Sequence, residues 1–304
     1  MTMQTIVQFI LHILFWLLLA PLLPGVINKV KAWVAGRRGP PLLLLYYDLT
    51  RLLRKHVVMS ETASPGFLAA PVVGWVALVL ATAFIPFGSL GSLISFKGDF
   101  ILFMYLLALS RFCTVWAAME TGSSFEGMGS AREVSFAVLA EAALITAILA
   151  LCVHSGNYSM DEILRPSAGT GTLLLAAGLF TILLSENCRV PFDDPNTHLE
   201  LTMIHEVMVL DQSGPPLAVI LHGASVKLLL FSALLVQAVL PIGNQSPLIS
   251  AALLLAGTGI VTLAIGATES LIARFAFNRV PLLLTTGFLL CLFALLSAWR
   301  GGIA

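Results

Sequence analysis

The chain has 304 residues, of which 58% are hydrophobic and only 11% charged, against roughly 25% charged in soluble domains, so a water-facing shell cannot be built and a soluble enzyme is excluded. Lys plus Arg balance Asp plus Glu at 16 each, so no global field favours nucleic acid or an acidic substrate. Cys113, Cys152, Cys188 and Cys291 are widely spaced with no C-x-x-C pair, which argues against zinc, an iron–sulfur cluster or a disulfide framework.

Apolar runs of roughly 20 residues, enough to cross about 30 Å of hydrocarbon, recur along the chain. The first, from Gln4 to about Ile27, has no basic segment before it and is followed by Lys29 and Lys31, so it reads as a span rather than a secretory signal. Spans are expected near 4–27, 66–87, 100–120, 134–154, 171–187, 216–240, 248–274 and 281–299. Without period-2 alternation, runs of this length satisfy their backbone groups as helices and not as a barrel. The expected fold is an all-α integral membrane bundle of about eight transmembrane helices.

Basic residues fall mostly on one set of loops: Lys29, Lys31, Arg37, Arg38, Arg51, Arg54, Lys55, Arg132, Arg189, Arg274 and Arg279. The other side has Lys97, Arg165 and Arg300, so the positive-inside rule predicts cytoplasmic loops near 28–65, 120–133, 186–215 and 275–280, with both termini outside. No linker, repeat or soluble unit interrupts the pattern, and residues 1–304 read as one transmembrane domain.

Three constellations carry possible chemistry. The 29–65 loop holds a helical pattern with Leu45, Leu49, Leu52 and Leu53 on one face and Asp48, Arg51, Arg54 and Lys55 opposite. This is an amphipathic helix for the membrane surface or for a partner below it, or simply a positive-inside anchor. The second constellation is a set of carboxylates at membrane depth, with Glu141 in the fourth predicted span and Glu269 in the seventh. Glu120 and Glu186 close the third and fifth. A carboxylate at a helix centre costs about 2.5–3.5 kcal/mol on insertion scales, so a tolerated one faces the bundle interior or water and often serves an ion or proton path. A closed ion pair between helices is the alternative, with Arg111 and Lys227 as counter-charges whose partners the sequence leaves open.

The third constellation is ENCRVPFDDPNTHLELTMIHEVMVLDQSG, residues 186–214, with Glu186, Asp193, Asp194, Glu200, Glu206 and Asp211 against Arg189 as its one strong base. The positive-inside rule does not call for acids there, and Pro191 and Pro195 break the helix. Irregular backbone at this depth is tolerated where it is packed in protein or lines a cavity. His198 and His205 lack a third ligand for a metal. No phosphate-binding, dinucleotide-binding or hydrolase motif is present in the sequence, which offers no self-contained active site.

Three blocks, RRGPPLLLLYYDLTRLLRK (37–55), METGSSFEGMGSAREVSFAVLAEAAL (119–144) and ENCRVPFDDPNTHLEL (186–201), fall in the order seen in a known family. They resemble the membrane subunit of group 4 nickel–iron hydrogenases and formate hydrogenlyases, the formate hydrogenlyase subunit 4 and hydrogenase component C type. That subunit is homologous to the quinone-channel subunit of respiratory complex I. The resemblance implies a non-catalytic subunit of the cytoplasmic membrane that docks a hydrophilic electron-transfer arm and couples it to antiporter-like membrane subunits. No cofactor is implied on this chain. The nickel–iron centre and iron–sulfur clusters belong to the partners.

By position, the resemblance implies proton transfer or coupling by Glu141, Glu120, Glu133, Glu186, Asp193, Glu200 and Glu206, with Arg132 and Arg189. It implies docking by Arg37, Arg38, Asp48, Arg51, Arg54, Lys55 and Glu126. In complex I the fourth-span glutamate lies a turn earlier, where this sequence has Ala137, so the hydrogenase branch is nearer there. Asn196 and His198 stand where hydrogenase relatives carry acids, a departure from the family's full acidic relay. Arg189 is similar to the arginine of the complex I motif, which keeps a quinone-channel subunit open as an alternative. A stand-alone secondary transporter is a third reading, disfavoured because no inverted repeat is visible.

Overall fold

A computed structural model of the chain describes residues 3–59, 63–165, 171–193 and 203–301. All its regular structure is helical: α1 (Met3–Leu19), α2 (Leu22–Val34), α3 (Leu44–Leu53), α4 (Pro65–Thr82), α5 (Asp99–Glu120), α6 (Ser124–Ser155), the single turn α7 (Met160–Ile163), α8 (Thr172–Glu186), α9 (Gly214–Val239), α10 (Pro247–Leu271) and α11 (Val280–Gly301). Seven helical segments are long and apolar enough to span a bilayer, and α8 is a shorter apolar helix of the same bundle. The expected membrane bundle is the fold observed.

α9 is its axis, buried on every face from Leu228 to Leu234. Around it, α4 packs on α5 and α9, α10 on α2 and α9, and α11 on α6 and α8. The outward faces are as apolar as the core: Tyr105, Phe112, Ile260 and Phe293 are all exposed. A helix apolar all round belongs in lipid or in the centre of a large protein, and here both solutions occur in one chain.

Three boundaries differ from the predicted ones. The first span is not 4–27 but His12–Val34, composed of α1 and α2 across a break at Ala20 and Pro21, so Lys29 and Lys31 lie on a helix and not in a loop. Pro21 has no N–H to give to the carbonyl four residues back. That carbonyl, of Leu17, is met at 3.1 Å by His222 Nε2 of α9, and the Leu18 carbonyl accepts from the Tyr46 hydroxyl of α3. Side chains from two other elements thus replace the missing backbone bonds. The loop expected at 120–133 is almost all helix, because α6 begins at Ser124 and runs 32 residues. At 1.5 Å per residue this is roughly 48 Å, so the helix extends well past about 30 Å of hydrocarbon. On α3, Leu52 is buried but Leu53, placed by the pattern on the same face, is exposed.

The connections gather at two ends of the bundle. At one end Ser213 Oγ donates to the Val58 carbonyl at 3.1 Å, the Asp211 N–H donates to Glu126 at 3.1 Å, and Arg132 Nη1 donates to the Met203 carbonyl at 2.9 Å. This is the end that carries the basic loops. At the other, the Gly98 N–H donates to the Tyr158 carbonyl at 2.9 Å and the Ser92 N–H to Asp161 at 3.1 Å.

Gly25 on α2 lies so close to the chain before α3 that a Cβ there would sit 2.1 Å from the Leu42 carbonyl oxygen. Backbone cannot swing aside as a side chain can. Gly25→Ala is therefore expected to destabilise the protein by about 1–3 kcal/mol through overpacking, read as a lowered unfolding temperature in detergent. An unchanged transition would show that α2 and the 35–43 segment are not held at this distance.

Candidate functional site

The site is assembled where α5, α6, α8 and α9 meet. α5 contributes Arg111, α6 contributes Glu133 and Glu141, about two turns apart, and Glu186 is the last residue of α8. Because α8 is only 15 residues long, roughly 22 Å against about 30 Å of hydrocarbon, the irregular chain after it begins within the bundle. It is enclosed there by protein, the one setting in which lipid-depth loops persist.

One guanidinium gathers three carboxylates. Arg111 Nη1 pairs with Glu141, Nη2 with Glu186, and Nε lies 3.4 Å from Glu133 Oε1. The second oxygen of Glu186 meets Lys227 Nζ of α9 at 2.8 Å. Glu186 is 2% exposed and Arg111 9%, whereas Glu141 retains 39%. Removing such groups from water costs several kcal/mol per ion unless partners compensate, and the shared cations supply that compensation. With two cations for three carboxylates, the cluster carries one formal negative charge in excess. Of the three carboxylates, Glu141 is the most exposed.

A second set lies on the chain after α8. Arg189 Nη1 stands 3.4 Å from Glu269 Oε1 of α10, while the other oxygen of Glu269 holds Lys31 Nζ of α2 at 2.9 Å. Asp193 Oδ1 pairs with Arg274 at 3.0 Å, and its Oδ2 accepts from the Ile204 and His205 N–H groups at 2.9 and 3.2 Å. A cavity of about 320 Å³ joins the two sets. Its polar end is formed by Arg111, Glu133, Glu186, Arg189, Asp193 and Lys227, and its apolar wall by Pro24, Leu45, Trp75 and Leu78. Cys188 also faces it.

The predicted residues divide accordingly. Glu133, Glu141 and Glu186 meet on Arg111, and Asp193, Glu206 and Arg189 line the cavity beside them. Glu120 is not among the groups that Arg111 gathers; it accepts from Trp116 Nε1 at 3.0 Å, one turn back on α5. Arg132 binds the Met203 carbonyl at 2.9 Å and covers the Phe277 ring, tying α6 to two connections. Glu200 lies outside the described residues, as do Asp194, Asn196 and His198. Among the docking residues, Arg37, Arg38, Arg51, Arg54 and Lys55 are exposed, and Asp48 pairs with Arg51 at 2.9 Å. Glu126 is placed differently from the other docking residues. It is wholly buried, accepting from Thr121 Oγ1 and the Asp211 N–H, because it braces the start of α6 against the chain before α9. Sequence reasoning left Lys31 and Arg274 out of the site. Their signal was weak, since a base at a span's end reads equally well as an interface anchor.

Sharing one cation among three carboxylates has a measurable consequence. Arg111→Met, which leaves Glu186 with Lys227 alone, is expected to cost about 3–5 kcal/mol, read as a lower unfolding temperature and yield. Adding Glu186→Gln removes part of the uncompensated charge, so the double variant should be more stable than Arg111→Met alone. Equal or lower stability of the double variant would contradict the shared counter-charge.

Comparison with known proteins places this geometry in a family. The sequence model for NADH dehydrogenase matches residues 6–299. Hydrogenase-4 component C of Escherichia coli (strain K12) is 32% identical over 249 residues, covering 78% of this chain and 76% of that protein. Formate hydrogenlyase subunit 4 of the same organism is 30% identical over 284 residues, covering 88% and 91%. Among solved structures, a chain of the membrane-bound sulfane sulfur reductase, an archaeal respiratory membrane complex, superposes with a TM-score of 0.83 over 97% of this chain and 100% of its own at 22% identity, a likeness of fold. A match across nearly the whole chain and two relatives of this similarity establish that the chain belongs to the NADH dehydrogenase family of membrane proteins.

Proposed function

We propose that the chain is a membrane subunit of a hydrogenase or formate-hydrogenlyase-like redox complex of the cytoplasmic membrane, where it docks a hydrophilic electron-transfer arm and couples redox chemistry there to proton movement. The observation that carries the coupling role is the Arg111 cluster, with one carboxylate more than its cations and an opening to a cavity at the end of the basic loops. A carboxylate that shares its cation can accept a proton without leaving a bare buried charge, and its neighbours then redistribute around Arg111. Relatedness to hydrogenase-4 component C and formate hydrogenlyase subunit 4 supports the class of complex.

Docking is assigned to the exposed Arg37, Arg38, Arg51, Arg54 and Lys55 around α3, a positive surface suited to an acidic partner face. The nickel–iron centre and iron–sulfur clusters are assigned to the hydrophilic partners, and antiporter-like subunits to the flank of the bundle. The apolar wall of the cavity supports a second reading, a quinone-channel subunit of a complex I-like enzyme, in which the amphipathic ligand enters between α2, α3, α4 and α9.

Co-purification in mild detergent separates the two: a nickel–iron large subunit is expected under the first reading, and bound quinone with sensitivity to quinone-site inhibitors under the second. In the assembled complex, Glu141→Gln and Glu186→Gln are each expected to abolish redox-linked proton translocation while hydrogen or electron turnover continues uncoupled. Normal translocation per electron in both variants would remove the coupling role from this cluster.

A further inference from the structure

The turn after α8 is held from two opposite directions. At its start, Glu186 is bound by Arg111 of α5 and Lys227 of α9. Farther along, it reaches toward the end of α10, with Arg189 3.4 Å from Glu269, Asp193 3.0 Å from Arg274, and the Phe275 N–H donating to the Pro191 carbonyl at 3.1 Å. Glu269 is fully enclosed, and its other oxygen binds Lys31 of α2 at 2.9 Å. α2 and α10 are in turn pressed together at Gly266, where a Cβ would stand 2.8 Å from Val30 Cβ. The turn thus touches both the Arg111 cluster and the α2–α10 pair through ion pairs, beside α9, which packs on both helices.

We propose that Glu269, Lys31 and Arg189 form an ion-pair latch that positions the 186–193 turn, so that a change of charge at Glu186 is passed to α10 and α2 through release of Arg189, a role that rests on the coupling reading above. The two-cation arrangement is what makes a latch of it. A buried carboxylate with one partner cannot let go without being left bare, at a cost of several kcal/mol. Glu269 can open its longer contact, to Arg189, because the shorter one to Lys31 still compensates its charge. Glu269 and Lys31 are positioning residues, acting on Glu186 only through the turn.

Cys188 lies on this turn between Glu186 and Arg189 and is half-buried, whereas the other three cysteines are buried. In the purified complex, with those three replaced by Ala, the rate at which N-ethylmaleimide labels Cys188 reports how firmly the turn is held. Glu269→Gln and Arg189→Gln are each expected to raise that rate at least about fivefold, and the pair together no more than either alone, because both open the same contact. Glu269→Asp, which keeps the charge, should restore slow labelling. Retained co-purification of the partner subunits shows that each variant is folded, and Arg189→Gln carries the test where Glu269→Gln does not assemble. Unchanged labelling in a folded variant, or additive effects in the double variant, overturns the latch whatever Glu186→Gln does to translocation. Should translocation survive both Glu141→Gln and Glu186→Gln while labelling responds as described, the coupling reading fails and the latch stands as a structural clamp.

Discussion

The structure depends on the enclosure of Arg111. A guanidinium in an apolar bundle must be met by opposite charge, and every element that meets it is thereby fixed: α6 through Glu133 and Glu141, α8 through Glu186, and, through Glu186, α9 at Lys227. Lipid supplies no hydrophobic drive to bring such helices together. Helix positions around the cavity follow from charge neutralisation and close packing, and the same groups that hold the bundle form its functional site.

Much of the fold was legible in the sequence for a simple physical reason: hydrocarbon thickness imposes a length on every span, and eight apolar runs of about that length stand out. Thr172–Glu186 lies within its expected run, and Pro247–Leu271 begins one residue before its own and ends three before that run does. What failed were the places where a helix does not stop at the membrane surface. Residues 124–133 are polar and read as a loop, yet α6 continues through them, since Glu126 is sheltered by Thr121 and the Asp211 N–H rather than by water. Lys29 and Lys31 were taken as the loop that ends a span, whereas α2 carries them to Val34.

The site was half legible. A charge inside an apolar run must face inward, which singled out Arg111, Glu141, Lys227 and Glu269. Pairing was not readable, because the partners are far apart in sequence and depend on which helices become neighbours: Arg111 meets Glu186 across 75 positions and Arg189 meets Glu269 across 80. Lys227 and Glu269 stand on successive predicted spans but do not pair. Lys227 goes instead to Glu186, and Glu269 to Lys31 and Arg189.

The break at Pro21 fixes the chemistry of a histidine some 200 positions away. The Trp75 indole can only donate, so His222 Nδ1, at 2.9 Å, must be the acceptor. The ring hydrogen is then on Nε2, directed at the Leu17 carbonyl that Pro21 leaves without a partner. Both nitrogens are committed, and a second proton would have to displace the indole. His222 stands between Leu221 and Gly223, which line the cavity, and has the side chain most suited to carrying protons at neutral pH, yet its bonds make it a surrogate peptide N–H, a fixed strut in the scaffold.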